Sequence, residues 1–130
     1  MKKTTFWGRN EADDHLIQQV LRGEKTVTCS IAAWYYNTLG EEPTEPGDLV
    51  EVIDAIGRRR CVIRIERVYE LPFGQVGEDI VKGECCESVD HFRAAHHMCW
   101  DQDLERAGLK LDVSTLLVVE HFRLVEFSSK

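Results

Sequence analysis

Gly23-Glu24-Lys25-Thr26-Val27-Thr28, just past an apolar helical stripe, groups side chains suited to acid–base and nucleophilic chemistry. This turn gathers one ammonium and two hydroxyls between a helix and a strand. A threonine hydroxyl is a weak nucleophile until a neighbouring base takes its proton. A lysine whose pocket lowers its pKa can be that base. Backbone N–H groups after the Gly23 turn can stabilise a developing oxyanion. Folding alone offers another account, with Lys25 facing a helix dipole at its C-terminal end and Thr28 an ordinary strand residue.

Other groups invite chemistry at greater distance. His91, His96, His97 and Cys99 stand near Cys85 and Cys86. His96 and Cys99 share a helix face, but structural zinc favours paired ligands at short regular spacings, so these read as helix histidines and core cysteines. Trp34, Tyr35 and Tyr36 could stack a base, as single-strand binders do, or pack in the core. Arg58-Arg59-Arg60, Arg64 and Arg67 form a basic cluster, whereas Glu41, Glu42, Glu45, Asp48, Glu51 and Asp54 concentrate acid. The arginines suit either a nucleotide-holding wall or a solvated edge that resists self-association.

The totals narrow the classes. A chain of 130 residues supports one domain with its own core. The net charge of −7 argues against non-specific binding along duplex nucleic acid. No apolar run approaches the roughly 20 residues that span a bilayer, and Met1 to Arg9 lacks the apolar segment of a signal peptide. Five cysteines with no Cys-x-x-Cys pair fit a reducing compartment. The expectation is a cytoplasmic protein without a membrane partner.

The elements that must position these groups are legible from pattern. Asn10 reads as an N-cap with Glu11 and Asp14 in the first turn. Leu16, Ile17, Val20 and Leu21 give a helical stripe, and Gly23 ends it. Strands are expected from Thr26 to Ile31, Leu49 to Ile53, Arg60 to Tyr69 and Thr115 to Phe127. Ala32 to Tyr36 enters a loop running to Gly47, and Leu71-Pro72-Phe73-Gly74 breaks the third strand. A short helix is expected at Val76 to Val81, and Ser88 caps a long one ended by Gly108. Helices and strands without βαβ alternation indicate α+β, compatible with a small closed or nearly closed barrel flanked by helices.

Four motifs in order resemble the ASCH domain family, which shares a PUA-like barrel with RNA-modification proteins. They are Phe6-Trp7-Gly8, the Gly-x-Lys-x-x-Thr signature at Gly23 to Thr28, Pro46-Gly47-Asp48 at a strand start, and Ser88-Val89-Asp90-His91-Phe92-Arg93-Ala94-Ala95-His96 with Glu105-Arg106-Ala107-Gly108 at its end. The last is similar to the Ser-Leu-x-x-Trp-Arg-x-x-His helix of one branch. That branch has Glu-Gly-Glu-Gly-Asp before the serine, where this chain has Lys82-Gly83-Glu84-Cys85-Cys86.

The resemblance implies a single ASCH-like domain over residues 1–130, with a small PUA-like β-barrel flanked by helices. It implies RNA or a modified nucleoside as ligand, held in a cleft around the Lys25 turn. Some members look like hydrolases. One type removes the acyl group from acylated cytidine with a lysine, a threonine and a glutamate, here Lys25, Thr28 and Glu84. In that scheme Glu84 shuttles a proton to the leaving amine. Another type cleaves single-stranded RNA with a divalent metal, and only that reading requires a cofactor. Candidate ligand contacts are Lys25, Thr26, Trp7, Tyr36 and, for a phosphate, Arg64. The leading expectation is a binding module, the second a hydrolase, and the third a protein-interaction scaffold. Oligomeric state is left open.

Overall fold

Alternating and helical patterns resolve into five strands and four helices in the computed structural model, which describes residues 2–5, 15–37, 43–54 and 56–127. Trp7 with its Phe6-Trp7-Gly8 motif, the Asn10 cap with Glu11 and Asp14, and Glu41 and Glu42 lie outside the described residues. The strands are β1 (Lys2–Thr5), β2 (Val27–Ile31), β3 (Leu49–Ile53), β4 (Arg59–Pro72) and β5 (Leu116–Phe127). The helices are α1 (His15–Leu21), α2 (Ala32–Tyr35), α3 (Glu78–Gly83) and α4 (Val89–Arg106).

The strands form one sheet in the order β1-β3-β4-β5-β2, curled into a half-barrel. Only β1–β3 is parallel. Register shifts in β4, between Val62 and Ile63 and between Ile65 and Arg67, add local twist that helps curl the sheet. β1 was not expected, because Lys2-Lys3-Thr4-Thr5 is too short and polar to show a pattern. Ala32 to Tyr35 forms a helical turn rather than a loop entry, and β4 runs on to Pro72.

Two clusters of buried side chains hold the layers together. Val27, Cys29 and Ile31 of β2 and Leu117 and Val119 of β5 pack with Ile80 and Val81 of α3 and Phe92 and Leu104 of α4. Burying a Phe or Leu side chain fully contributes about 1.5–3 kcal/mol, so Phe92 at 0 % exposure is a principal tie between α4 and the sheet. The second cluster joins Ile17 and Val20 of α1 to Val50, Val52, Cys61, Ile63, Ile65 and Phe122.

The end of α1 is set by glycine chemistry. Gly23 has φ +75°, its N–H donates to Val20 O, and Glu24 N–H donates to Gln19 O. These are the two hydrogen bonds of a Schellman motif. Lys25 N–H also donates to Gln19 O, at 3.1 Å, so the chain enters β2 in a fixed direction.

A second glycine sets a close approach. Gly83 ends α3 and its carbonyl accepts from Thr26 N at 2.8 Å. A Cβ on Gly83 would lie 2.3 Å from Val27 Cγ2, so α3 touches β2 only because this residue has no side chain. Gly83→Ala should therefore destabilise the fold by about 1–3 kcal/mol, the usual cost of overpacking. Gly77→Ala should cost far less, since its nearest neighbour would be Asp79 Oδ1 at 3.6 Å. Thermal unfolding of the two variants side by side checks this, and equal losses would contradict it.

Candidate functional site

The contact between Gly83 and β2 brings Glu84 onto Lys25. Lys25 is 3 % exposed, and its Nζ donates to Val27 O at 2.8 Å and to Glu84 Oε1 at 2.9 Å. The other carboxylate oxygen, Oε2, faces Nε2 of His96 at 3.2 Å. His96 Nδ1 sits 2.8 Å from Phe92 O, and a carbonyl only accepts, so Nδ1 carries a proton. Ser88 positions this helix, its hydroxyl accepting from His91 N as an N-cap.

Electrostatics follow from this geometry. Burial alone would raise the Glu84 pKa, but the Lys25 charge, the His96 contact and the Lys25 hydrogen bond outweigh it and hold the carboxyl down to about 2. Burial, and next the charge and hydrogen bond of Glu84, push the Cys29 thiol well above its ordinary range. Cys85 and Cys86 are likewise raised, first by burial. These three cysteines therefore stand as neutral thiols, poor nucleophiles at neutral pH. Cys85 also takes a left-handed φ of +61° where the resembled branch has a glycine.

Lys25, Thr28, Glu84, His96 and Trp100 line one cleft of ≈ 680 Å³, with α1 contributing Leu16 and Gln19. That volume falls in the range of small-molecule sites, about 300–1,000 Å³. Phe92, His96 and Trp100 follow one another at four-residue spacing on α4, with rings stacked at 4.0 Å and edge-on at 4.7 Å. Trp100 is thus the aromatic wall of the cleft. Neither Trp100 nor His96 was among the expected site residues, although their spacing on one helical face was a readable signal.

The remaining expected contacts sit elsewhere. Thr26 holds α3 through its backbone. Tyr36 is 52 % exposed, donates to Glu70 and stacks edge-on against Tyr35. Trp34 packs on the first core cluster. The reason is strand length: at about 3.3 Å per residue, β2 carries this segment some 13 Å from the Lys25 end. Arg64 is exposed on β4, opposite Leu49 and Arg123, and does not line the cleft. Much of the arginine cluster is engaged internally. Arg58 Nε donates to Asp54 at 2.9 Å, Arg60 approaches the same carboxylate at 3.5 Å, and Arg67 lies over the Tyr69 ring. Among the described residues no group of three or more His, Cys, Asp or Glu side chains is arranged to hold a metal ion.

Known proteins share this architecture. The crystal structure of an ASCH domain from Lactobacillus crispatus is 29 % identical and superposes with TM-score 0.78, over 96 % of this chain and 80 % of its own. A protein from Enterococcus faecalis is 23 % identical with TM-score 0.83, over 98 % and 77 %. A hypothetical protein at 10 % identity superposes with TM-score 0.60, over 95 % and 97 %, and shows the fold alone. Comparison with curated proteins gives no match. A profile of the ASCH domain matches residues 3–126. With that match along nearly the whole chain, and the same half-barrel in its structural neighbours, the protein belongs to the ASCH domain family.

Proposed function

We propose that the cleft binds a modified nucleoside and hydrolyses an acyl group from it. The observation that carries this reading is the contact of Lys25 with Glu84 in the cleft that Thr28 also lines. Trp100 supplies a face for a base, and stacking on an aromatic is worth about 1–3 kcal/mol per base. In this reading the ammonium polarises the acyl carbonyl and gives a proton to the leaving amine. The Thr28 hydroxyl supplies the attacking oxygen, because it lines the same cleft as Lys25 and Glu84. A free nucleoside suits the site better than a long RNA, because the net charge is −7 and Arg58 and Arg60 are turned onto Asp54.

A stability role does not account for the charged pair. Breaking a buried pair by removing one partner costs about 3–5 kcal/mol, whereas replacing both by apolar groups is often neutral or better. Lys25→Met alone should destabilise by about that amount, and Lys25→Met combined with Glu84→Leu should recover most of it while remaining inactive. Denaturant unfolding checks the first half of this expectation. Full recovery of both stability and turnover would contradict it.

The Glu84 carboxyl also fixes the sign of a pH effect. Its folded value is depressed, so its contribution is complete above the ordinary 4.5 and is lost as pH falls from there through about 2. Wild-type stability should therefore decline across that window more steeply than that of Glu84→Gln. Parallel slopes in acid unfolding curves would show that Glu84 is not held ionised.

The direct test is incubation with cytidine acylated on its exocyclic amine by acetyl or benzoyl groups. Wild type should release cytidine. Thr28→Ala should lose turnover rather than affinity, and Trp100→Ala should raise KM by about 10-fold with a smaller effect on kcat. Absence of turnover with both acyl groups would overturn the hydrolytic reading.

A further inference from the structure

A second cavity of ≈ 50 Å³ lies inside the half-barrel, between strands β1 and β2 that end the sheet. Its polar lining comprises Lys3, Thr4, Thr28, Ser30, Tyr35, Thr44 and Glu120. A water needs about 10–15 Å³ of such space and two to four polar partners, so this cavity has room and partners for ordered water. Among the described residues, Thr28 is the one residue common to its lining and that of the Lys25 cleft.

Glu120 is 8 % exposed and is placed by its neighbours. Its Oε2 accepts from the Thr44 hydroxyl and from Tyr35 OH at 3.3 Å, and Tyr35 OH in turn accepts from Thr44 N at 2.7 Å. Thr28 and Glu120 are paired in the β2–β5 register. Residues directly opposite in an antiparallel pair put their Cβ atoms about 4.5–5.5 Å apart on the same face. A buried glutamate thus shares a face and a cavity with the hydroxyl that the proposed reaction needs deprotonated. Lys25 Nζ already donates hydrogen bonds to Val27 O and Glu84 Oε1, which leaves the acceptor role to another group.

We propose that the inner cavity holds ordered water between Thr28 and Glu120, and that Glu120 is the proton acceptor for Thr28. The second part rests on the hydrolytic reading of the cleft. In the first step the Thr28 proton passes through water to Glu120 as Oγ1 bonds to the acyl carbon. The C–N bond then breaks, and the leaving amine takes a proton from Lys25. In the second step water attacks the threonine ester, gives one proton to the neutral Lys25 amine and keeps the other on the acid product. Thr28 oxygen departs with the proton returned by Glu120, and the site is restored.

The test is Glu120→Gln, which keeps the size of the side chain and an oxygen for the Thr44 and Tyr35 hydroxyls. Affinity for cytidine, the unreactive product, should stay within about 2-fold, while kcat falls by about 100-fold or more, as loss of a general base does. The acidic limb of the kcat–pH profile should disappear. The other titratable groups facing Thr28 are Tyr35 on α2 and Lys3 on β1 at this cavity, and Lys25, Glu84 and His96 in the cleft. Turnover within about 3-fold of wild type with the acidic limb intact would overturn the role of Glu120. A high-resolution crystal structure of the wild type decides the water separately. Density bridging Thr28 Oγ1 and Glu120 is expected, and a dry cavity overturns the proposal whether or not the protein turns over. A wild type that hydrolyses neither acylated cytidine removes the hydrolytic reading and with it the proton-acceptor role, leaving the water site to stand or fall on that density.

Discussion

The buried contact between Lys25 and Glu84 is the constraint on which the rest of the site depends. Two charges at 3 % and 8 % side-chain exposure stand 2.9 Å apart, and each is costly to bury without the other. Every neighbouring feature serves that approach. The Schellman turn at Gly23 aims the chain, Gly83 lets α3 press on Val27, and His96 closes on the far oxygen of Glu84. A chain selected for stability alone would gain as much from two apolar side chains at these positions.

The half-barrel gives this pair two faces. On one side Val27, Cys29 and Ile31 carry the packing that fixes α3 and α4. On the other, Thr28 and Ser30 turn into the polar interior, where the sheet leaves a cavity between β1 and β2. Period-two alternation along five residues of β2 thus puts a hydroxyl beside the cleft and a thiol in the core. The division also explains why the aromatics are separated. Trp100 reaches the cleft from α4, while Tyr35 at the far end of β2 braces Glu120.

Much of this was legible in the sequence, and the remainder was hidden for physical reasons. The Gly23 stop, the β2 strand and the Ser88 cap are local chemistry, and local chemistry is what a sequence displays. The alternation of Cys61, Ile63 and Ile65 announced β4, and these residues are indeed buried together. β1 carried no signal, because four polar residues become a strand only by pairing with β3. Arg58 and Arg60 suited either a basic wall or a solvated edge, and only the turn after β3 shows Asp54 brought onto them. Glu84 came from the family resemblance, whereas His96 and Trp100 needed the packing of α4 against β2 to become site residues. Cys85 marks a divergence, since a non-glycine residue holds a left-handed turn beside the carboxylate.

A crystal structure of Thr28→Ala soaked with acylated cytidine would show directly how the cleft holds its ligand. The base should lie against Trp100, with the acyl carbonyl within hydrogen-bond distance of Lys25 Nζ and the acyl carbon facing position 28. A ligand bound outside this cleft, or seated with its acyl group turned away from Lys25 and Glu84, would contradict it.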